Sequence, residues 1–162
     1  MAAQYSAPLR QTIQPGAAAI FPAASVQDAS GTIYHEAQTG VFRLASPSAL
    51  GQVEYRRRRC CCCCNRMPAA TYAVEINGNL AISEGGTAGP ISLALVVDGE
   101  TSPIGVITVT PAAVGDLWSI GRSLLVSVPA ICRCAAVSLR NISDQPVDLV
   151  NANLQIRQQL AR

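Results

Sequence analysis

The sequence predicts an all-β protein: an antiparallel β-sandwich of jelly-roll topology, with an extended N-terminal arm. Three observations carry this expectation. From residue 71 onward, apolar and polar residues alternate over short runs, the period of half-buried strands. Turn-forming residues such as Asn77-Gly78 and Asp98-Gly99 punctuate the runs. No helical segment separates them, so the connections are not the crossovers of a parallel sheet. Two packed antiparallel sheets are the economical arrangement.

Residues 1–30 are rich in Ala, Gln, Pro and Ser, and Pro8, Pro15 and Pro22 rule out a long helix. Gln14-Pro15-Gly16 reads as a turn, and Ala17 to Phe21 as a weak strand. A mobile arm is one reading; because Ile13, Ile20, Phe21 and Val26 need cover, an arm that orders only against a neighbouring subunit is the favoured one. Thr32–His35 and Val41–Leu44 are short strand candidates joined through Gln38-Thr39-Gly40. Ser46-Pro47-Ser48 interrupts the pattern, and Gln52–Arg57 is a further candidate.

In Thr71–Asn77, Tyr72, Val74 and Ile76 alternate with Ala73 and Glu75. Asn77-Gly78 is then expected to turn a hairpin into Leu80 and Ile82. Ile91–Val97 and Pro103–Thr110 flank the Asp98-Gly99 turn. Thr110 and Pro111 have the chemistry of a helix start, but Gly115 limits any helix there to a turn or two. Ser119–Val128, Ile131–Arg140 and Val147–Ile156 complete the series. Apolar residues change phase within the last run, which predicts a bulge near 149–150. The organisation expected is 1–30 as arm, 31–66 as short strands and an Arg/Cys-rich connection, and 67–162 as core. The strands of 31–66 are expected to join that core.

Only 14% of the chain is charged, against roughly 25% in an average domain, which suggests that part of the surface is covered by other subunits. All twelve basic residues are arginine. Five of them, Arg56, Arg57, Arg58, Arg59 and Arg66, bracket Cys60, Cys61, Cys62, Cys63 and Cys64. The positive charge is therefore local, a candidate electrostatic contact for phosphate or carboxylate. With few aromatics and no reading motif, the chain is not expected to bind nucleic acid.

Consecutive cysteines do not have the spacing of zinc or iron–sulfur sites, which need gaps for the backbone to turn. Bridges between neighbours in sequence are strained, since Cα atoms about 3.8 Å apart fall short of the roughly 5.5 Å a disulfide prefers. Cys132 and Cys134 share a strand face and offer partners. Disulfide or inter-subunit contacts among Cys60–Cys64, Cys132 and Cys134 are one reading; reduced thiols without a role are another, and these seven are also weak metal candidates.

Catalytic chemistry has little basis. His35 is the single histidine and reads as a strand-end surface residue. Asp98 and Glu100 flank a turn glycine and read as solvated. There is no phosphate loop, dinucleotide fingerprint or His-x-x-x-His pattern. Asn141-Ile142-Ser143 matches a glycosylation acceptor but reads as a turn. No cofactor is expected. The N-terminus lacks signal-peptide character and no run reaches transmembrane length, so cytoplasmic synthesis without a membrane role is the expectation.

Several segments resemble small proteins of tailed phages and prophages of gut Firmicutes. They are Ile76-Asn77-Gly78-Asn79-Leu80-Ala81-Ile82, Gly89-Pro90-Ile91-Ser92-Leu93-Ala94-Leu95, Asp98-Gly99-Glu100 and Val109-Thr110-Pro111-Ala112-Ala113-Val114. Leu139-Arg140-Asn141-Ile142-Ser143 and Val150-Asn151-Ala152-Asn153-Leu154 fit the same pattern. That group looks like the tumour-necrosis-factor/C1q-type jelly roll. The resemblance covers roughly residues 60–160 and implies a homotrimer at the virion surface, as capsid decoration or head fibre, after synthesis in the bacterial host cytoplasm. The arm is then expected to meet the major capsid protein or another virion protein. An adhesion module binding glycan or protein, through the loops 85–90 and 98–101, is the alternative; an enzyme is a third and weaker one.

Overall fold

The computed structural model describes residues 2–28, 31–46, 69–129 and 134–159. Among them, eleven strands form two antiparallel sheets packed face to face. In chain order they are β1 (Ala2–Ala7), β2 (Gln11–Ile13), β3 (Ala23–Val26), β4 (Ile33–Glu36) and β5 (Val41–Leu44). Then follow β6 (Ala70–Ile82), β7 (Ile91–Val97), β8 (Glu100–Val109), β9 (Trp118–Val128), β10 (Ala135–Asn141) and β11 (Val147–Gln159). One sheet runs β3-β1-β11-β6-β9, with β2 also paired to β11. The other runs β4-β5-β10-β7-β8. Neighbours in the sheets are mostly distant in sequence, as a jelly roll requires.

The core lies between the sheets. Tyr72, Val74, Ile76, Leu80 and Ile82 of β6 are fully buried, facing Leu93, Leu95, Val137 and Leu139 of the opposite sheet. Such alternation buries one side of each strand and leaves the other for solvent. Burying a side chain as large as Leu or Phe contributes about 1.5–3 kcal/mol, so these positions dominate the stability.

Asn77-Gly78 does not turn. β6 continues through it, paired to β9 on one side and β11 on the other. Gly78 is absent from the residues of positive φ, which a tight hairpin turn demands. Its glycine serves closeness instead: a Cβ there would lie 3.1 Å from Ala152 Cα. The approach comes from β11, whose register shifts between Val150 and Asn153 with Asn151 at φ 51°. The expected bulge is thus present, slightly beyond its anticipated position. Asp98 (φ 52°) and Gly99 (φ 90°) do form the two-residue turn, between β7 and β8.

The segment after Pro111 is a turn without helix. Gly115 takes φ 83° and donates to the Ile82 carbonyl at 3.1 Å, and Asp116 accepts from the Ala113 amide. A left-handed residue there stops a helix before it starts.

The N-terminal residues depart most from expectation. They order against their own sandwich. β1 and β2 lie end to end along β11, so residues 2–13 supply the far side of that strand. The chain then crosses to the other sheet. After the Gln14-Pro15-Gly16 turn, Ala19 N donates to Leu139 O at 2.8 Å, and Asn141 N donates to Ala17 O at 3.0 Å. Residues 17–19 thereby extend the β5 side of β10. Ile13 and Phe21 are buried in this way, while Ile20 and Val26 stay exposed.

Candidate functional site

Arg56, Arg57, Arg58, Arg59, Arg66, Cys60, Cys61, Cys62, Cys63, Cys64 and Cys132 all lie outside the described residues, as does the strand candidate 52–57. Cys134 stands immediately before β10 and is disulfide-bonded. Among the described residues, no group of three or more His, Cys, Asp or Glu is arranged to hold a metal ion. No helix among them is long and apolar enough to cross a membrane.

The isolated polar candidates have structural duties. Asp98 accepts the Ala136 amide through Oδ1 at 2.8 Å, and its own amide donates to Ala136 O at the same distance. This carboxylate pins the β7–β8 turn to β10. Asn141 is fully buried, and its Nδ2 donates to Ile13 O and Gln145 O, each at 2.9 Å. Its Oδ1 accepts from Ser143 N. The amide of the apparent glycosylation acceptor is therefore occupied and enclosed. In the 85–90 loop, Gln145 brackets Thr87, accepting from its amide and donating to its carbonyl.

Two devices fasten the N-terminal segment, and neither stands out in the sequence. Asp148 on β11 is buried and accepts from Thr12 Oγ1 at 2.7 Å and from Arg10 Nη1 at 3.2 Å. A buried carboxylate needs such partners, since leaving it unpaired is costly. The second device is aromatic. His35 is half-buried, not a surface residue, with its ring stacked on Phe42 at 4.4 Å and tilted against Tyr5 at 4.6 Å. Burial pushes the Tyr5 phenol up and the His35 imidazole down. Glu36 beside it is held below the usual carboxylate range, chiefly by the hydrogen bond from Arg43 Nε at 2.7 Å.

The surface with most scope for recognition is one lateral side of the sandwich, where the edge strands β8 and β9 of the two sheets meet. Ile104 on β8 is 61% exposed and Leu125 on β9 is 62% exposed. Trp118, at the start of β9, is 45% exposed. An open groove of about 580 Å³ runs between the strands, lined by Val97, Pro103, Ile104 and Leu125, with Asp98 and Glu100 also on its wall. Arg122 Nε donates to Ile104 O at 2.7 Å and ties the two edges together. β-Branched and aromatic residues suit a strand, but large apolar side chains facing water at a sheet edge mark an interaction surface. The opposite lateral side, at β3 and β4, exposes Val26 and Tyr34. The low charge of the sequence did not indicate where exposed apolar side chains gather; the structure puts Ile104 and Leu125 together at the β8–β9 edge.

With two sheets in this order, the chain has a jelly-roll fold of the tumour-necrosis-factor/C1q type. Among solved structures it is similar to that of Eiger TNF from S. frugiperda, with a TM-score of 0.65 and 11% identity. The match spans 99% of this chain and 92% of that one. No family model matches the sequence. No curated protein matches it either.

Proposed function

We propose that this chain is a non-enzymatic structural protein, a homotrimer that decorates and stabilises a phage capsid at the virion surface. The observation that carries the reading is the lateral edge at β8 and β9, with Ile104 and Leu125 more than half exposed on a chain of low charge. A second copy is the natural occupant. The opposite side also exposes apolar and aromatic side chains, Val26 and Tyr34. Side-to-side packing of unlike surfaces closes into a ring when the rotation between copies allows it. Each contact would need to cover about 800 Å² per partner to be stable.

The resemblance to small phage proteins supports the virion assignment, and the fold supports a rigid unit suited to surface display. Contact with the major capsid protein or another virion protein is assigned to exposed arm residues: Leu9 (79% exposed) between β1 and β2, with Ile20. This contact works by buried area and hydrogen bonding, with no chemical turnover.

Native mass measurement at micromolar concentration should return three chains. Leu125→Asp, which places a charge on the most exposed of the large apolar side chains at this edge, should weaken association about tenfold or more. A wild-type monomer, or an undiminished assembly in the Leu125→Asp variant, would remove this edge as the subunit contact. Imaging of purified particles should show the trimer on the shell surface; particles lacking it would overturn the capsid role.

A further inference from the structure

His35 is the chain's only histidine. Its ring lies on β4, stacked on Phe42 of β5 at an interplanar angle of 10°. It also meets Tyr5 of β1. Tyr5 in turn lies 4.8 Å from Phe42, and Phe42 lies 5.9 Å from Phe21. β1 belongs to one sheet, β4 and β5 to the other. The imidazole is thus part of the contact that closes the sandwich over its N-terminal strand. Nε2 is buried and has no hydrogen-bond partner among the described residues. A neutral imidazole fits this place as a flat ring. Protonation would put a charge on the ring and leave N–H at both nitrogens, with no acceptor for Nε2.

We propose that His35 is a pH-sensitive latch: neutral, it fastens β1 across the sandwich to β4 and β5; protonated, it loosens that contact in mild acid.

The groups facing it favour this outcome. From β1 the titratable neighbour is Tyr5, neutral throughout the range and pushed further up by burial, then by Asp28. On its own strand Glu36 favours the imidazolium, but that carboxylate is already engaged by Arg43 of β5 and by Thr39 Oγ1 at 3.1 Å. Asp28, before β4, accepts from the amides of Thr32 and Ile33 and from Thr32 Oγ1. From β5 the ring meets the face of Phe42, while Arg43 is engaged with Glu36. Burial therefore outweighs Glu36, and the imidazole is held below its ordinary value. With the folded value below the unfolded one, the unfolded chain binds more protons between the two. Stability is complete above about pH 6.5, declines as pH falls toward the folded value, and is level below it.

A single histidine makes the test direct. The ring of His35 is titrated by NMR in the full chain, amide exchange is followed in β1, and denaturant midpoints are measured from pH 7.5 to 4.5. The wild type is compared with His35→Phe. The expected result is a His35 value below 6.5 and loss of the folding equilibrium by about tenfold per unit of depression. β1 amides should lose protection in the same window, and His35→Phe should show neither change. Should that variant not fold, the wild-type titration and exchange decide alone. His35 titrating at or above 6.5, β1 protection unmoved by its titration, or an equal acid loss in a folded His35→Phe would each overturn the latch.

Discussion

Residues 2–46 and residues 70–159 build the same two sheets by different means. The later block uses long strands: β6 and β11 have 13 residues each and β9 has 11. A long alternating strand specifies its own face and register, because a one-residue slip would move every buried side chain into water. The earlier block uses strands of three to six residues, β1 being the longest. Strands so short carry little register information, and particular contacts place them: Asp148 with Thr12 and Arg10, the Ala17–Ala19 pairing to β10, and the rings of Tyr5, His35 and Phe42. Short strands are thus held by a few specific points, and long ones by continuous pattern.

Removing residues 2–21 breaks the comparison most severely. The deletion strips Tyr5, Ile13 and Phe21 from the core and leaves one side of β11 unpaired. Losing Phe21 alone is worth about 3–5 kcal/mol, against a total of roughly 5–15 kcal/mol for a domain. The truncated chain should show no cooperative thermal transition by circular dichroism. A retained transition would mean that the long strands form a sandwich by themselves.

A pair of glycine substitutions sharpens the contrast. Gly40 has φ 67°, and a Cβ there would lie 2.1 Å from the carbonyl oxygen of Ala19, where the N-terminal segment passes. Gly40→Ala should cost about 2–4 kcal/mol, from left-handed backbone plus forced displacement. Gly99 has φ 90° with open space around it, so Gly99→Ala should cost only about 1–2 kcal/mol. Chemical denaturation of the two variants measures the difference; equal losses would mean that Ala19 gives way freely.

The smallest effect belongs to Thr12→Val, which removes the hydroxyl donor to buried Asp148 while keeping the side chain's volume. A loss of about 0.5–1.5 kcal/mol is expected, the net worth of one hydrogen bond, since Arg10 still pairs with the carboxylate. Little change in the denaturation midpoint would show that Arg10 alone suffices to hold the carboxylate.

Much of the later block was legible. Ile91–Val97 has the anticipated ends, and Asp98-Gly99 turns as its residue types require. The phase change in Val147–Ile156 exposed the bulge that the structure places at Asn151. The Asn77-Gly78 reading failed because pairing on both sides outweighs a local turn preference: β6 hydrogen-bonds to β9 and β11 straight through the dipeptide. For the arm, Ile13 and Phe21 find cover while Ile20 and Val26 stay exposed, and that cover comes from the same chain, through β11 and β10 more than a hundred residues away. Nor does sequence separate a surface histidine from one stacked between Phe42 and Tyr5, since both read as a polar residue in a short strand.

By itself the sequence determined the fold class, the faces of the long strands and most of their turns, because period-two alternation and turn chemistry act between residues close along the chain. Only the tertiary structure decided that residues 2–21 belong inside the sandwich, that Gly78 is a contact rather than a turn, and that Ile104 and Leu125 share one exposed edge. Those outcomes depend on which distant strands become neighbours, and neighbour choice is settled by the packing of both sheets together.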